Sequence, residues 1–294
     1  MSGNHPQPIF DAGLVVARKL RALRAAVPGA DFLMRRAAGD LADRLDAVSR
    51  RFDHAAALFC LTPAAGEALL SSGKVGAVIR VEADAALMPE AQGVVAAPEM
   101  VPLAPESLDL AVSLYHLHEV DDVPGMLAQI RRALKPDGLF LACLAGAGTL
   151  GELREALLAA ETELYGGASP RVAPLADVRD AGALLQRAGF ALPVADHETV
   201  TVRYDSMFAL LRDLRAMGAT SSLAARSRVP ARRALFMRAA EIYAERFSDP
   251  DGRVRATFST IWLSGWAPHA SQQQPARRGS ATMSLAKALG ARQK

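Results

Sequence analysis

Residues 105–144 read Pro-Glu-Ser-Leu-Asp-Leu-Ala-Val-Ser-Leu-Tyr-His-Leu-His-Glu-Val-Asp-Asp-Val-Pro-Gly-Met-Leu-Ala-Gln-Ile-Arg-Arg-Ala-Leu-Lys-Pro-Asp-Gly-Leu-Phe-Leu-Ala-Cys-Leu. The apolar run Leu108–Leu114 is the length of a buried strand, and Val123–Leu134 repeats its apolar residues at helical spacing. Leu139–Leu144 is apolar again. Between helix and strand, Lys135-Pro136-Asp137-Gly138 forms a turn in which proline stops the helix and glycine frees the backbone. Strand, helix, strand within forty residues is a βαβ unit, and it predicts a mostly parallel sheet.

The pattern extends upstream. Ala55–Leu61 reads as a strand, Ala64–Ser71 as a helix, Gly76–Val81 as a strand and Gly93–Ala96 as a short third run. Before them lie a basic helix from Ile9 to about Ala26 and a second helix over Phe32–Phe52. Arg18, Lys19, Arg21 and Arg24 cluster on the first, as a solvated face or a dock for an acidic partner. Beyond Gly146 the chain reads as mostly helical: Gly151–Leu164, Val178–Ala188, Met207–Met217 and Ala231–Phe247. Strands are expected at Val200–Tyr204 and, closing the sheet, Phe258–Trp266. Residues 1–8 and the tail 268–294 read as disordered, with a short helix at Ser284–Leu289. The expected division is N-terminal helices over 9–53, an α/β core over 54–145, and a helical insertion with the final strand over 146–267.

Composition narrows the function. Half of the 294 residues are hydrophobic, which suits a sizeable core, and no apolar run approaches the roughly 18 residues that would suggest a membrane span. The N-terminus lacks the basic and apolar regions of a secretion signal. The net charge of +3 misleads. Arg277, Arg278, Lys287, Arg292 and Lys294 lie in a tail without an acid, and removing those five charges turns +3 into −2. A slightly acidic body gives little support to nucleic-acid binding. Cys60 and Cys143 sit in apolar runs as buried free thiols, which suit a reducing cytoplasm and are too few for a metal site. No Gly-x-Ser-x-Gly, P-loop or zinc pattern occurs.

The opening stretch, with Pro105–Ser113, Leu117-His118, Asp122–Gly125 and Arg131–Phe140, resembles the fourth strand, helix and fifth strand of class I S-adenosylmethionine-dependent methyltransferases. Thr149–Arg154, Ser169–Val172, Val178–Asp180, Asp213–Gly218 and the closing Gly265-Trp266 are similar to one subgroup. That subgroup holds the complex I assembly arginine hydroxylase and its proteobacterial relatives, and Ile9-Phe10-Asp11 before a basic helix also fits it. The resemblance spans roughly Ile9 to Pro268. It implies a Rossmann-like class I methyltransferase fold with helical additions at both ends, and S-adenosylmethionine as cofactor. It also implies protein arginine hydroxylation as the named activity, and a respiratory-chain assembly protein as partner.

The residues depart from that pattern where the cofactor would lie. The glycine-rich turn after the first strand falls on Ala57–Pro63, so the family's acid becomes Ala57 and its glycines become Phe59 and Pro63. Glycine is needed there because a Cβ would occupy the ligand's space, and proline removes an N–H. Glu82 stands where an acid accepts the ribose hydroxyls, or is a solvent-facing residue at a strand end. The acid that reads adenine becomes Ala97, with Glu99 nearby; Cys60 and Leu114 are further pocket positions. Two of three contacts are lost, which counts against S-adenosylmethionine as a bound cofactor. Tyr115, His116 and His118 follow the fourth strand at the sheet's carboxyl edge, as catalytic candidates or as packing residues, with Asp121 and Asp122 beside them. Asp109 reads as structural, as does Arg215; Arg171 either caps a helix or holds an acidic partner. The sequence therefore favours a non-catalytic binding or assembly protein over an active S-adenosylmethionine-dependent methyltransferase or protein arginine hydroxylase. A methyltransferase for an acyl-carrier substrate fits the downstream motifs less well.

Overall fold

The structure is a computed structural model that describes residues 7–88 and 93–273; the helix expected at 284–289 and most of the basic tail lie outside the described residues. Its frame is a seven-stranded sheet: β1 (Phe52–Leu58), β2 (Val75–Glu82), β3 (Gly93–Val95), β4 (Leu108–Leu114), β5 (Leu134–Ala145), β6 (Ala191–Tyr204) and β7 (Val254–Trp266). The order is β3-β2-β1-β4-β5-β7-β6, and β7 is antiparallel to both neighbours while the other pairings are parallel. The order reverses between β1 and β4, which opens a crevice at their carboxyl ends.

Helices cover both faces: α1 (Ala12–Ala25), α2 (Phe32–Asp46), α3 (Ala64–Ser71), α4 (Val123–Ala133), α5 (Gly151–Tyr165), α6 (Val178–Arg187), α7 (Met207–Ala216) and α8 (Arg233–Phe247). Because strand side chains alternate, Ala111 of β4 joins one core with Leu127, Ile130 and Leu185, while Leu110 and Val112 join the other with Leu41, Leu45 and Trp262. A third core, built on Leu153, Leu157, Leu235 and Tyr243, packs α5, α7 and α8 against the start of β7.

Four sequence expectations need correction. β1 begins three residues earlier than its apolar run and ends at Leu58, so Phe59, Cys60 and Leu61 belong to the following turn. β6 covers fourteen residues rather than five. Its first half hides its strand character because Asp196 and Glu198 are spent on ion pairs with Arg44 and Arg36 of α2. β7 is the last strand in the chain, but it starts at Val254 rather than Phe258 and lies between β5 and β6, so the segment beyond Gly146 carries two long strands among its helices.

The fourth concerns the Lys-Pro-Asp-Gly turn. α4 has already stopped at Ala133, and Leu134 opens β5, pairing with Leu108 before the register jumps to Leu110–Leu139. Asp137, not Gly138, adopts the left-handed conformation, with φ 66°. Gly138 is needed for space: a Cβ there would lie 2.9 Å from the Lys135 carbonyl oxygen and 3.2 Å from that of Asp109. Gly138→Ala should therefore cost about 1–3 kcal/mol by overpacking. Urea denaturation checks this, and an unchanged midpoint would mean that the backbone yields freely.

Candidate functional site

The carboxyl ends of β1 and β4 carry three non-glycine residues in the left-handed region: Phe59 (φ 53°), Leu61 (φ 60°) and Tyr115 (φ 52°). Such conformations cost about 1–3 kcal/mol each and persist only where surroundings enforce them. Here the ladder does so, since the Phe59 N–H donates to the Val81 carbonyl at 2.7 Å and that of Tyr115 to Cys143 at 2.8 Å. The turn thus keeps the backbone that glycine would favour and adds side chains to it.

Those side chains fill the space beside the turn. The Phe59 ring is buried and stacks on His116, with centroids 4.5 Å apart. His116 Nε2 lies 2.7 Å from the Pro98 carbonyl oxygen, so that nitrogen carries the proton and donates. Its Nδ1 is buried without a partner. Burial pushes the imidazole down to about 3, so His116 is neutral and locked in packing. Leu114 and Cys60 are wholly buried, and burial pushes the Cys60 thiol up to about 12.

Glu82 does not face solvent. It is buried with Arg80, whose Nη2 donates to its Oε1 at 3.1 Å and to the Leu87 carbonyl at 3.2 Å. Burial raises the Glu82 carboxyl, and Arg80 offsets this in part. Arg80 was legible in principle, because residues i and i+2 on a strand share a face. Ala97 is exposed. Glu99 turns to the loop after β4, accepting the Asp121 N–H at 2.7 Å. Asp121 accepts the N–H groups of Ile9 and Phe10, and Asp122 caps α4. These acids order the loop. Asp109 is likewise structural, bonded to the His54 amide and Lys135.

Tyr115 and His118 open onto a cavity of about 1070 Å³, bounded also by Leu61, Thr62 and Glu119. The Tyr115 hydroxyl lies 2.7 Å from Thr260 Oγ1, and burial pushes its pKa up. His118 Nδ1 accepts the Ala145 N–H at 3.4 Å, and burial lowers its pKa. Glu119 pairs with Lys19 of α1 at 2.7 Å. Burial alone would raise the Glu119 carboxyl, but Lys19 and His118 bring it below its ordinary value. Nothing in sequence signals this pair, whose members are a hundred positions apart. Arg171 also lines the cavity and is held by Glu161 of α5 rather than by a helix end; Arg215 lines it from α7. Among the described residues no group of three or more His, Cys, Asp or Glu side chains is placed to hold a metal ion, and no helix is long and apolar enough to cross a membrane.

A methyltransferase-domain family model matches residues 65–142. The mitochondrial arginine-hydroxylase NDUFAF5 of Homo sapiens is 37% identical over 285 residues, covering 94% of this chain and 82% of that protein. The chain belongs to the NDUFAF5 family. The Dictyostelium discoideum protein of that name is 44% identical over 177 residues, though the match covers 60% of this chain and only 40% of that one. A solved structure of a putative methyltransferase from Bacillus halodurans covers 79% of this chain and all of its own, with a TM-score of 0.52 at 14% identity. The fold is accordingly the Rossmann-like class I methyltransferase fold.

The buried neutral His116 sets a pH dependence. Its folded pKa lies below the unfolded one, so the unfolded chain binds the proton first as pH falls. This contribution to stability is complete above the ordinary histidine value of 6.5 and is lost toward about 3. The loss in unfolding free energy between about pH 7.5 and about pH 5 should be smaller in His116→Gln than in the parent. Equal losses in urea titrations would show that His116 does not set this limb.

Proposed function

We propose that this NDUFAF5-family chain does not turn over S-adenosylmethionine and acts as a non-catalytic binding protein in respiratory-chain assembly. The observation that carries the reading is the use of the chain's own side chains where the cofactor would lie. Arg80 already donates to Glu82 Oε1, so a ribose on this buried carboxylate would have to share it with the guanidinium or displace it. Displacement would leave a buried guanidinium, whose Nε already lacks a partner, with backbone carbonyls alone. Breaking a buried pair in this way costs about 3–5 kcal/mol, which two hydroxyl hydrogen bonds do not return. At the methionine end, Phe59 and Leu61 project side chains from positions that suit glycine, and Pro63 offers no N–H. S-adenosylmethionine does not fit these residues. The partner this reading favours is a protein of respiratory-chain assembly, as the relatives' arginine-hydroxylase name and the chain's family suggest. Two buried free thiols suit a reducing compartment such as the cytoplasm.

A second reading is an active S-adenosylmethionine-dependent methyltransferase or protein arginine hydroxylase. The shielded Glu119–Lys19 pair and Tyr115 beside a large cavity favour it. Against an arginine substrate stands the cavity's excess of cationic side chains, which would repel a guanidinium.

Calorimetric titration with S-adenosylmethionine and S-adenosylhomocysteine separates the two. The folded chain should give no binding heat at millimolar ligand, whereas micromolar affinity for either would sink the non-catalytic reading.

A further inference from the structure

The cavity beside Tyr115 joins two unlike surfaces. One wall is apolar, with Leu33 of α2, Leu153 and Leu157 of α5, Leu211 of α7 and Phe236 of α8. The other is cationic. Arg18, Lys19, Arg35, Arg171, Arg215 and Arg226 line the cavity, against only Asp31 and Glu119. Four of these cations are answered by carboxylates: Lys19 by Glu119, Arg35 by Asp31, Arg171 by Glu161 and Arg226 by Asp11. Arg18 and Arg215 have no carboxylate partner among the described residues.

Four residues of the lining also carry a buried polar atom without a hydrogen-bond partner. Arg18 Nη1 and Arg171 Nε are shielded from water and lack an acceptor, as do the hydroxyls of Thr62 and Ser221. All four residues line the cavity. A buried polar group without a partner costs about 1–3 kcal/mol, and more when charged. Burial and the neighbouring Arg226 and Arg21 both press on the Arg18 guanidinium. Cations therefore outnumber carboxylates in the lining, and the guanidinium groups of Arg18 and Arg215 have no carboxylate partner among the described residues.

We propose that the cavity binds a free fatty acid, its carboxylate on Arg18 and its alkyl chain along the apolar wall. An ionised carboxyl is acceptor-only and offers about four lone-pair sites, which is what the guanidinium groups of Arg18 and Arg215 lack. Its hydrogen bonds to arginine are charge-assisted. A cationic or donor-rich ligand would deepen the deficit. The volume of about 1070 Å³ leaves room for a long alkyl chain, since small-molecule pockets run from roughly 300 to 1,000 Å³. Leu61 and Thr62 of the turn after β1 line the cavity, while Phe59, Arg80 and Glu82 do not, so it adjoins the methionine end of the cofactor cleft and leaves the Glu82 end apart.

Competition against a fluorescent fatty-acid probe on the full chain tests it, with dodecanoate, methyl dodecanoate and phosphatidylglycerol vesicles as separate arms. Dodecanoate should displace the probe at least about tenfold more tightly than the ester, the effect of one charge-assisted contact. Arg18→Gln should weaken dodecanoate about tenfold and leave the ester unchanged. Should that variant fail to fold, Arg215→Gln, at an exposed position, carries the same test with a smaller loss in the same direction. Equal affinity for acid and ester overturns the proposal, as does no displacement from a folded sample. Binding to vesicles without displacement by free dodecanoate overturns it too, in favour of a membrane surface.

Discussion

Everything distinctive about this molecule follows from a turn that passes through the left-handed region twice without a glycine. Phe59 and Leu61 hold φ values of 53° and 60°, at a cost of about 1–3 kcal/mol each. What offsets the cost is burial and stacking: the Phe59 ring lies on His116, and His116 is tied to the Pro98 carbonyl. Three strand ends, those of β1, β3 and β4, are thereby drawn together by one aromatic contact and one hydrogen bond. The strain is local, and its compensation buries Phe59 in the core beside the crevice that the strand order opens.

Fold and site are separable here in a physical sense. The sheet order depends on apolar alternation and on helices short enough to cross over, and none of that needs glycine after β1. A chain can therefore keep the class I methyltransferase fold and an NDUFAF5-family sequence while Arg80 pairs with Glu82 and Phe59 stacks on His116. The neighbouring cavity shares Leu61, Thr62 and Tyr115 with the ends of β1 and β4, and α5, α7 and α8 supply apolar residues and Arg215 to the rest of its lining.

Much of the fold was legible because its strongest signals are local. Leu108–Leu114 and Ala64–Ser71 match their elements residue for residue, since apolar runs of strand length and helical spacing are read directly. β6 was mostly hidden, because its acids are answered by arginines of α2, far away in sequence. The end of β1 was misplaced for the opposite reason: Phe59, Cys60 and Leu61 are apolar because they plug a turn, which looks the same in sequence as continuing a strand. The absence of glycines from Ala57–Pro63 is plain in sequence, whereas the ion pair that Glu82 makes carries no motif, although Arg80 lies two residues away on the same strand. The Lys19–Glu119 pair and the unmatched Arg18 needed the folded chain, since only packing brings α1 beside the loop after β4.

The closed cleft is the claim on which the functional reading stands. A crystal structure grown in saturating S-adenosylhomocysteine tests it most directly. The account predicts no nucleoside between β1 and β4, with Arg80 still on Glu82 and Phe59 still stacked on His116. Ordered density for the ligand, with its ribose hydroxyls on Glu82 and Arg80 swung away, would contradict it.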